Sequence, residues 1–293
     1  MDWLGNMRAA IGYIEDNLAG EIDFEIAARH ARCSSYHFQK MFSCLTNVPP
    51  GEYIRRRRLT LAAFELQQTD AKVVDVALKY GWDSPTSFTR AFRSVHGVTP
   101  KEAKRAGTRL KSWPRIAFQI SIKGDTEMNY RIERKKSFRV VGCSKAIPTG
   151  EGINFELVPN FWEESCANGS YERLCVMAKE SRADCVYPGA AILGICANFR
   201  KDEFDYLIAV PSSRAVPEGM TALEIPEANW AVFECTGPLP GAIQDVTKRI
   251  YSEWFPSSGY ENAMLPEIEW YSEGDTSAAD YRSEVWIPVK AKN

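Results

Sequence analysis

Seven polar side chains at helical spacing raise the question of what this chain touches. Tyr36, Gln39 and Lys40 stand at i, i+3 and i+4, and Thr86, Thr89, Arg90 and Arg93 begin the same spacing 50 positions later. Amide, hydroxyl and cationic groups on one helix face are the groups that pair with base edges in a DNA major groove. A different chemistry is suggested near the C-terminus. In Ser283-Glu284-Val285-Trp286-Ile287-Pro288, strand alternation puts Glu284 and Trp286 on one face. A carboxylate among apolar strand residues is costly unless it is paired or near water. Trp162, Trp254 and Tyr206 lie in the surrounding pattern. With them, Glu284 could hold a lipophilic cation by charge pairing and cation–π attraction. The competing reading is that Glu284 faces solvent or pairs locally.

The elements that position the first set are legible because they are written twice. Ile26, Ala27 and Arg29 answer to Val76, Ala77 and Lys79, and Ser34, Phe38, Lys40 and Phe42 answer to Ser84, Phe88, Arg90 and Phe92. Val48, Pro50 and Glu52 answer to Val98, Pro100 and Glu102 at the same spacing, so one supersecondary unit has been duplicated. Each copy predicts a short helix, a tight turn and a second helix. Ser34 and Ser84 are N-caps. Phe38, Met41, Phe42 and Leu45 form the buried stripe of the first copy, and Phe88, Ala91, Phe92 and Val95 that of the second. Asn47-Val48-Pro49-Pro50 and Gly97-Val98-Thr99-Pro100 stop the helices. An ordinary bundle with solvated outer faces would explain one copy. Two copies with matching caps, phenylalanines and terminators favour a pair of readers. Between them, Gly51 to Gln68 predicts one long linking helix carrying Arg55-Arg56-Arg57-Arg58. That run either contacts phosphates or is a face that helps fix the linking helix.

These residues resemble the AraC/XylS family of bacterial transcription regulators over about residues 5–110. The likeness is carried by Ser34 to Phe42, by Pro50 to Leu59, and by Val73 to Ala77 with Gly81-Trp82. Ser87 to Phe92 and Gly97 to Pro100 complete it. The resemblance implies two helix-turn-helix units that enter successive major grooves on one face of double-stranded DNA. It places base reading on Tyr36, Gln39 and Lys40 in the first unit and on Thr86, Ser87 and Arg90 in the second. RNA polymerase is implied as a partner by the same analogy.

Length and composition set bounds on the rest. At 293 residues the chain exceeds what one core normally serves. It has no apolar run of about 18 residues and no basic-then-apolar leader, which predicts a cytoplasmic protein without a membrane span. Eight cysteines lack any CxxC pair, and three histidines lie at no metal-ligand spacing. Buried thiols are expected, with no metal and no cofactor. The net charge of −2 hides an asymmetry: residues 1–112 carry 17 Lys+Arg against 12 Asp+Glu, and residues 113–293 carry 19 against 26. The basic part suits phosphate attraction, and the acidic part suits a different, cationic partner.

A second duplication follows an expected linker at 109–127. Strand Tyr130 to Ser144, a helix around Phe155 to Met177, and strands Ala190 to Ala197 and Phe204 to Val210 come first. Strand Thr221 to Thr236, helix Gly241 to Phe255, and strands Glu267 to Tyr271 and Arg282 to Val289 repeat that order. The expected fold class is therefore multidomain. An all-α double helix-turn-helix domain (1–108) precedes an α+β domain (128–293), two β-α-β-β repeats whose antiparallel sheet is backed by two helices.

Met128 to Ile132, Val140-Val141-Gly142, Phe161-Trp162, Tyr206, Trp254-Phe255-Pro256, Glu269 and Glu284 to Pro288 resemble GyrI-like effector-binding domains. The order of the two domains is that of Rob-type regulators. This implies a pocket for an amphipathic, cationic or aromatic small molecule, with Glu284 as its anchor among Trp286, Trp162, Tyr206 and Trp254. The expected function is ligand-responsive transcription regulation at an asymmetric DNA site. Two alternatives stay open. One is a small-molecule hydrolase with Glu284 as general base, although residues 113–293 contain no histidine and no GxSxG. The other is an architectural DNA binder with a vestigial sensor.

Overall fold

Ser34 and Ser84 each accept a hydrogen bond from the backbone three residues on, and left-handed Asn47 and Gly97 close the helices they start. Those two helices belong to a set of seven: α1 (Trp3–Asp16), α2 (Phe24–Ala31), α3 (Ser35–Thr46), α4 (Pro50–Gln68), α5 (Val73–Lys79), α6 (Pro85–His96) and α7 (Pro100–Ala103). The computed structural model describes residues 3–117, 127–149, 153–180, 191–200 and 203–292. The chain divides into two units, Asp2–Ile120 and Ser121–Asn293. Among the described residues no helix is long and apolar enough to cross a membrane.

In the first unit Phe38, Phe42, Phe88 and Phe92 are fully buried, as the repeat requires. Phe88 and Phe92 pack with Leu59, Leu66 and Val76, so α4 supplies part of the core of the second helix-turn-helix. The arginine run on α4 is spent on structure. Arg57 grips Glu15 of α1 through two hydrogen bonds of 2.9 and 2.8 Å, and Tyr53 donates to the same carboxylate. Arg58 donates to the Leu18 and Gly20 carbonyls, while Arg55 and Arg56 pair with Glu52.

The segment after α7, expected to begin a free linker, is instead fastened along α4. Gln67 donates to the Thr108 carbonyl, Arg57 to the Trp113 carbonyl, and Thr60 and Tyr53 accept from Trp113 and Ile116 amides. Positions 53, 57, 60 and 67 form one stripe of a helix, which explains how an extended strap can follow it.

In the second unit each long strand expected from the sequence is broken in two. Tyr130 to Ser144 becomes β1 (Tyr130–Lys135) and β2 (Phe138–Pro148), and Thr221 to Thr236 becomes β5 (Thr221–Ile225) and β6 (Ala228–Thr236). The helix of the first repeat is likewise two, α8 (Asn154–Ala167) and α9 (Ser170–Glu180), because Gly169 takes a φ of +77° between them. The remaining elements are β3 (Ile192–Ala197), β4 (Glu203–Pro211), α10 (Gly241–Arg249), β7 (Tyr260–Asn262), β8 (Glu267–Tyr271) and β9 (Arg282–Ala291). A π-helical turn, Ile250–Trp254, and the short α11 (Phe255–Ser257) continue α10.

Among the described residues all strands join one antiparallel sheet in the order β1-β6-β9-β8-β3-β4-β2-β5, with β7 on β9. That order is a palindrome once each strand is exchanged for its repeat counterpart, with the axis between β3 and β8. The sheet is also closed on itself. β1 and β2 are six strand spacings apart, about 29 Å if flat. Lys136 and Ser137 alone join them, a reach of about 11 Å. Pro226 and Glu227 impose the same limit between β5 and β6. The sheet must curl, and its inner face is filled by Phe138, Val140, Leu193, Ile195, Leu207, Trp230, Val232 and Trp286. The outer face takes the helices: Trp162 of α8 meets Tyr206 and Tyr271, and Trp254 meets Phe233.

Burial works to raise the Glu15 pKa, but the Arg57 and Tyr53 hydrogen bonds and the Arg57 charge outweigh it, so the carboxyl titrates below its ordinary value. A depressed folded pKa stabilises above the ordinary glutamate range and is lost as pH falls through the folded value. Arg57→Ala should cost about 3–5 kcal/mol by leaving a buried charge unpaired. Glu15→Gln should flatten the acid limb of stability between roughly pH 5 and 3, read by urea unfolding across that range.

Candidate functional sites

The second reading helix presents an open polar face. Thr86, Ser87 and Arg90 are exposed. The hydroxyls of Ser87, Thr89 and Ser94 donate back to the carbonyls of Ser84, Pro85 and Ala91 at 2.7–2.8 Å. Their oxygens are thereby turned outward as acceptors. Arg90 has no side-chain partner among the described residues, so its planar fork of donors is uncommitted. With Pro85, Thr86, Thr89, Arg93, Ser94 and Thr99 it lines a shallow depression.

The first reading helix differs. Tyr36 and Gln39 are 5% and 7% exposed, and Lys40 is half-buried. Tyr36 meets His37 edge-on, Lys40 lies over the Tyr36 ring, and Gln39 donates to Ser35 at 3.4 Å. The spacing expected of an outward face is present, but in the folded chain that face is covered.

In the second unit the expected ligand residues fall into three places. Glu284 and Trp286 come together, with the indole N–H donating to Glu284 at 2.6 Å. Arg131 also donates to Glu284, at 2.9 and 3.3 Å, and to Glu133, which holds Lys135 over the Trp286 ring. Trp286 is 1% exposed, inside the curled sheet. Trp162 and Tyr206 come together elsewhere, the indole donating to the phenol at 2.9 Å. Trp254 is buried in a third group with Phe233, Tyr130 and Tyr260.

Register separates the first of these from the other two. Glu269 pairs with Val285 and Gly194 with Glu269, so Glu269 shares the outer face with Val285. Glu284, one residue before Val285, points to the inner face. The acid beside Trp162 and Tyr206 is therefore Glu269. Its Oε2 accepts from Tyr271 at 2.7 Å and from Tyr206 at 3.4 Å. Burial, and then the Glu269 charge, push both phenols well above their ordinary pKa, so both stay protonated donors. Among the described residues nothing hydrogen-bonds Oε1. Tyr206 is buried, whereas Trp162, Glu269 and Tyr271 keep partial exposure. Glu269 and Tyr271 were missed as site residues; the signal was the alternation Glu267, Glu269, Tyr271 on one face of a five-residue strand.

The class of protein is set by these two units together. Residues 27–106 match the helix-turn-helix domain, and residues 128–290, more than half of the chain, match the GyrI-like small molecule binding domain. The protein belongs to the GyrI-like family, with an AraC-type helix-turn-helix domain ahead of the family domain. It is similar to the HTH-type transcriptional activator AarP of Providencia stuartii, 42% identical over 88 residues, covering 30% of this chain and 65% of that protein. Regulatory protein SoxS of Salmonella typhimurium is 33% identical over 96 residues, covering 33% of this chain and 90% of SoxS. The right origin-binding protein of Escherichia coli is 36% identical over 106 residues, 36% of this chain but only 37% of that protein.

Glu284→Ala should destabilise the second unit by about 1–3 kcal/mol, because the buried Trp286 N–H loses its acceptor. Glu284→Gln should cost less, since an amide oxygen can still accept. Urea unfolding followed by tryptophan fluorescence measures both; equal and negligible effects would mean that Glu284 does not hold Trp286 in place.

Proposed function

We propose that this protein is a DNA-binding transcription regulator whose C-terminal domain binds a small amphipathic effector, cationic or aromatic. The observation that carries the effector half is Glu269, whose Oε2 accepts from two phenols while Oε1 has no hydrogen-bond partner among the described residues. A carboxylate so arranged, held by Tyr271 of the Trp162–Tyr271 ring pair, suits a ligand that joins a positive charge to aromatic surface. The domain match to a small molecule binding family supports the same reading. Glu269 replaces Glu284 as the anchor we assign, because Glu284 is already engaged by Arg131 and Trp286.

The DNA half is supported by the exposed hydroxyl-and-arginine face of α6 and by the helix-turn-helix match. A linking helix of 19 residues is about 28 Å long, close to the roughly 34 Å between successive major grooves on one DNA face. Two unlike helices on one chain imply an asymmetric site, with base reading assigned to α6 because Tyr36 and Gln39 of α3 are buried. AarP is a transcriptional activator by name; recruitment of RNA polymerase is the output we assign by analogy with it. Regulation requires that the effector bind two states of the protein with unequal affinity.

Two measurements test this. Glu269→Gln should weaken binding of an aromatic monocation such as tetraphenylphosphonium by about tenfold or more, whereas Glu284→Gln should change it little. Calorimetry on the full chain separates them, and turnover of the bound compound would overturn the sensor reading in favour of an enzyme. Arg90→Ala should relax base preference over one half of the DNA site at a cost of about 1–3 kcal/mol. Equal weakening on specific and random duplex would reduce Arg90 to a phosphate contact.

A further inference from the structure

The hydrogen bonds around Glu269 run in one direction, toward the acid. An indole can only donate, so Trp162 uses a lone pair of the Tyr206 oxygen at 2.9 Å. The Tyr206 proton then points elsewhere, and Glu269 Oε2 accepts it at 3.4 Å. Tyr271 donates to that same oxygen. Two phenol donors thus converge on one oxygen of one carboxylate, and Trp162 orients the first of them.

The convergence depends on a residue with no side chain. Tyr206 stands on β4 and Glu269 on β8, with β3 between them. Gly194 is the β3 residue paired with Glu269. A Cβ built on Gly194 would lie 2.3 Å from the Tyr206 hydroxyl and 3.3 Å from Glu269 Oε2. The phenol occupies the volume a side chain at position 194 would need, so it crosses β3 only because nothing is there.

We propose that Gly194 is a positioning residue of the effector site: its missing Cβ admits Tyr206 across β3, and the chain from Trp162 through Tyr206 fixes Glu269 with Oε1 turned to the ligand. Charge discrimination by the site then rests on Gly194 and Tyr206 as much as on the acid. This inference rests on the effector-binding reading above.

The test uses the full chain and two probes of similar aromatic bulk, the cation tetraphenylphosphonium and the neutral triphenylphosphine oxide. Gly194→Ala and Tyr206→Phe should each lower affinity for the cation by about ten- to a hundredfold, with less than about a threefold change for the neutral probe. In the Tyr206→Phe background, which lacks the clashing oxygen, Gly194→Ala should add little further loss. Additive losses, or equal losses for both probes, would overturn the inference and leave Gly194 as packing alone. Tyr206→Phe removes one atom, so it remains informative if Gly194→Ala does not fold. Glu269→Gln separates the two levels. If it abolishes discrimination while Gly194→Ala and Tyr206→Phe do not, the effector reading stands and this inference falls. If the unmodified protein binds neither probe, both fall.

Discussion

A two-residue connection cannot cross six strands of a flat sheet, and that constraint organises the C-terminal unit. Lys136-Ser137 and Pro226-Glu227 each span it, so the sheet curls until its two ends meet. Curling makes the two faces unequal. The inner one closes on its own side chains, with Trp230 and Trp286 at 0% and 1% exposure, and the outer one is left for helices and for anything the helices admit. An acid's role then follows from its parity. Glu269 falls on the outer face beside Trp162, whereas Glu284 falls on the inner face, where the Arg131 ion pair and the Trp286 N–H make its burial tolerable.

The helical unit depends on a comparable device. Helix α4 separates the two reading helices, and nearly every polar group along one stripe of it is used to hold something in place. Arg57 and Tyr53 grip α1 through Glu15, and the same stripe carries the strap from Thr108 to Ile116. His96, at the end of the second reading helix, bonds the Leu59 carbonyl of α4 and faces Trp113 of the strap. The spacing of α3 and α6 is therefore set by a helix clamped to both α1 and the strap, not by a tether.

Much of this could be read in the sequence, and the reasons for the failures are physical. Caps, terminators and buried phenylalanines were legible because each is a local decision made by one or two residues. The arginine run offered two readings because a charged stripe looks the same whether it meets phosphate, water or a buried glutamate; only the distant Glu15 decides. The cover over Tyr36 and Gln39 was invisible for the same reason. In the sheet, alternation fixed which residues of β9 share a face, but not which face receives helices. That choice is made by strand order, which no window of one strand contains. Trp254 was likewise placed on the correct helix, yet its ring is consumed by Phe233 and Tyr260.

Both units are duplications, and both keep scaffold while varying chemistry. In the sheet that variation extends to the pseudo-twofold axis itself. The ladder between β3 and β8 has five pairs, and its middle pair is Gly194 with Glu269. Along that same row, Ile208 answers to Val285 and Cys143 to Phe233, so the counterparts elsewhere remain small or apolar. At the axis they cannot remain alike if an acid is present. Two glutamates directly opposite would set like charges against each other in a half-buried niche. They would also leave no room for the Tyr206 hydroxyl, which already fills the space above Gly194. An acid on one copy thus requires its absence on the other. A symmetric scaffold can hold one charged anchor at its centre only by giving up the side chain at the equivalent position.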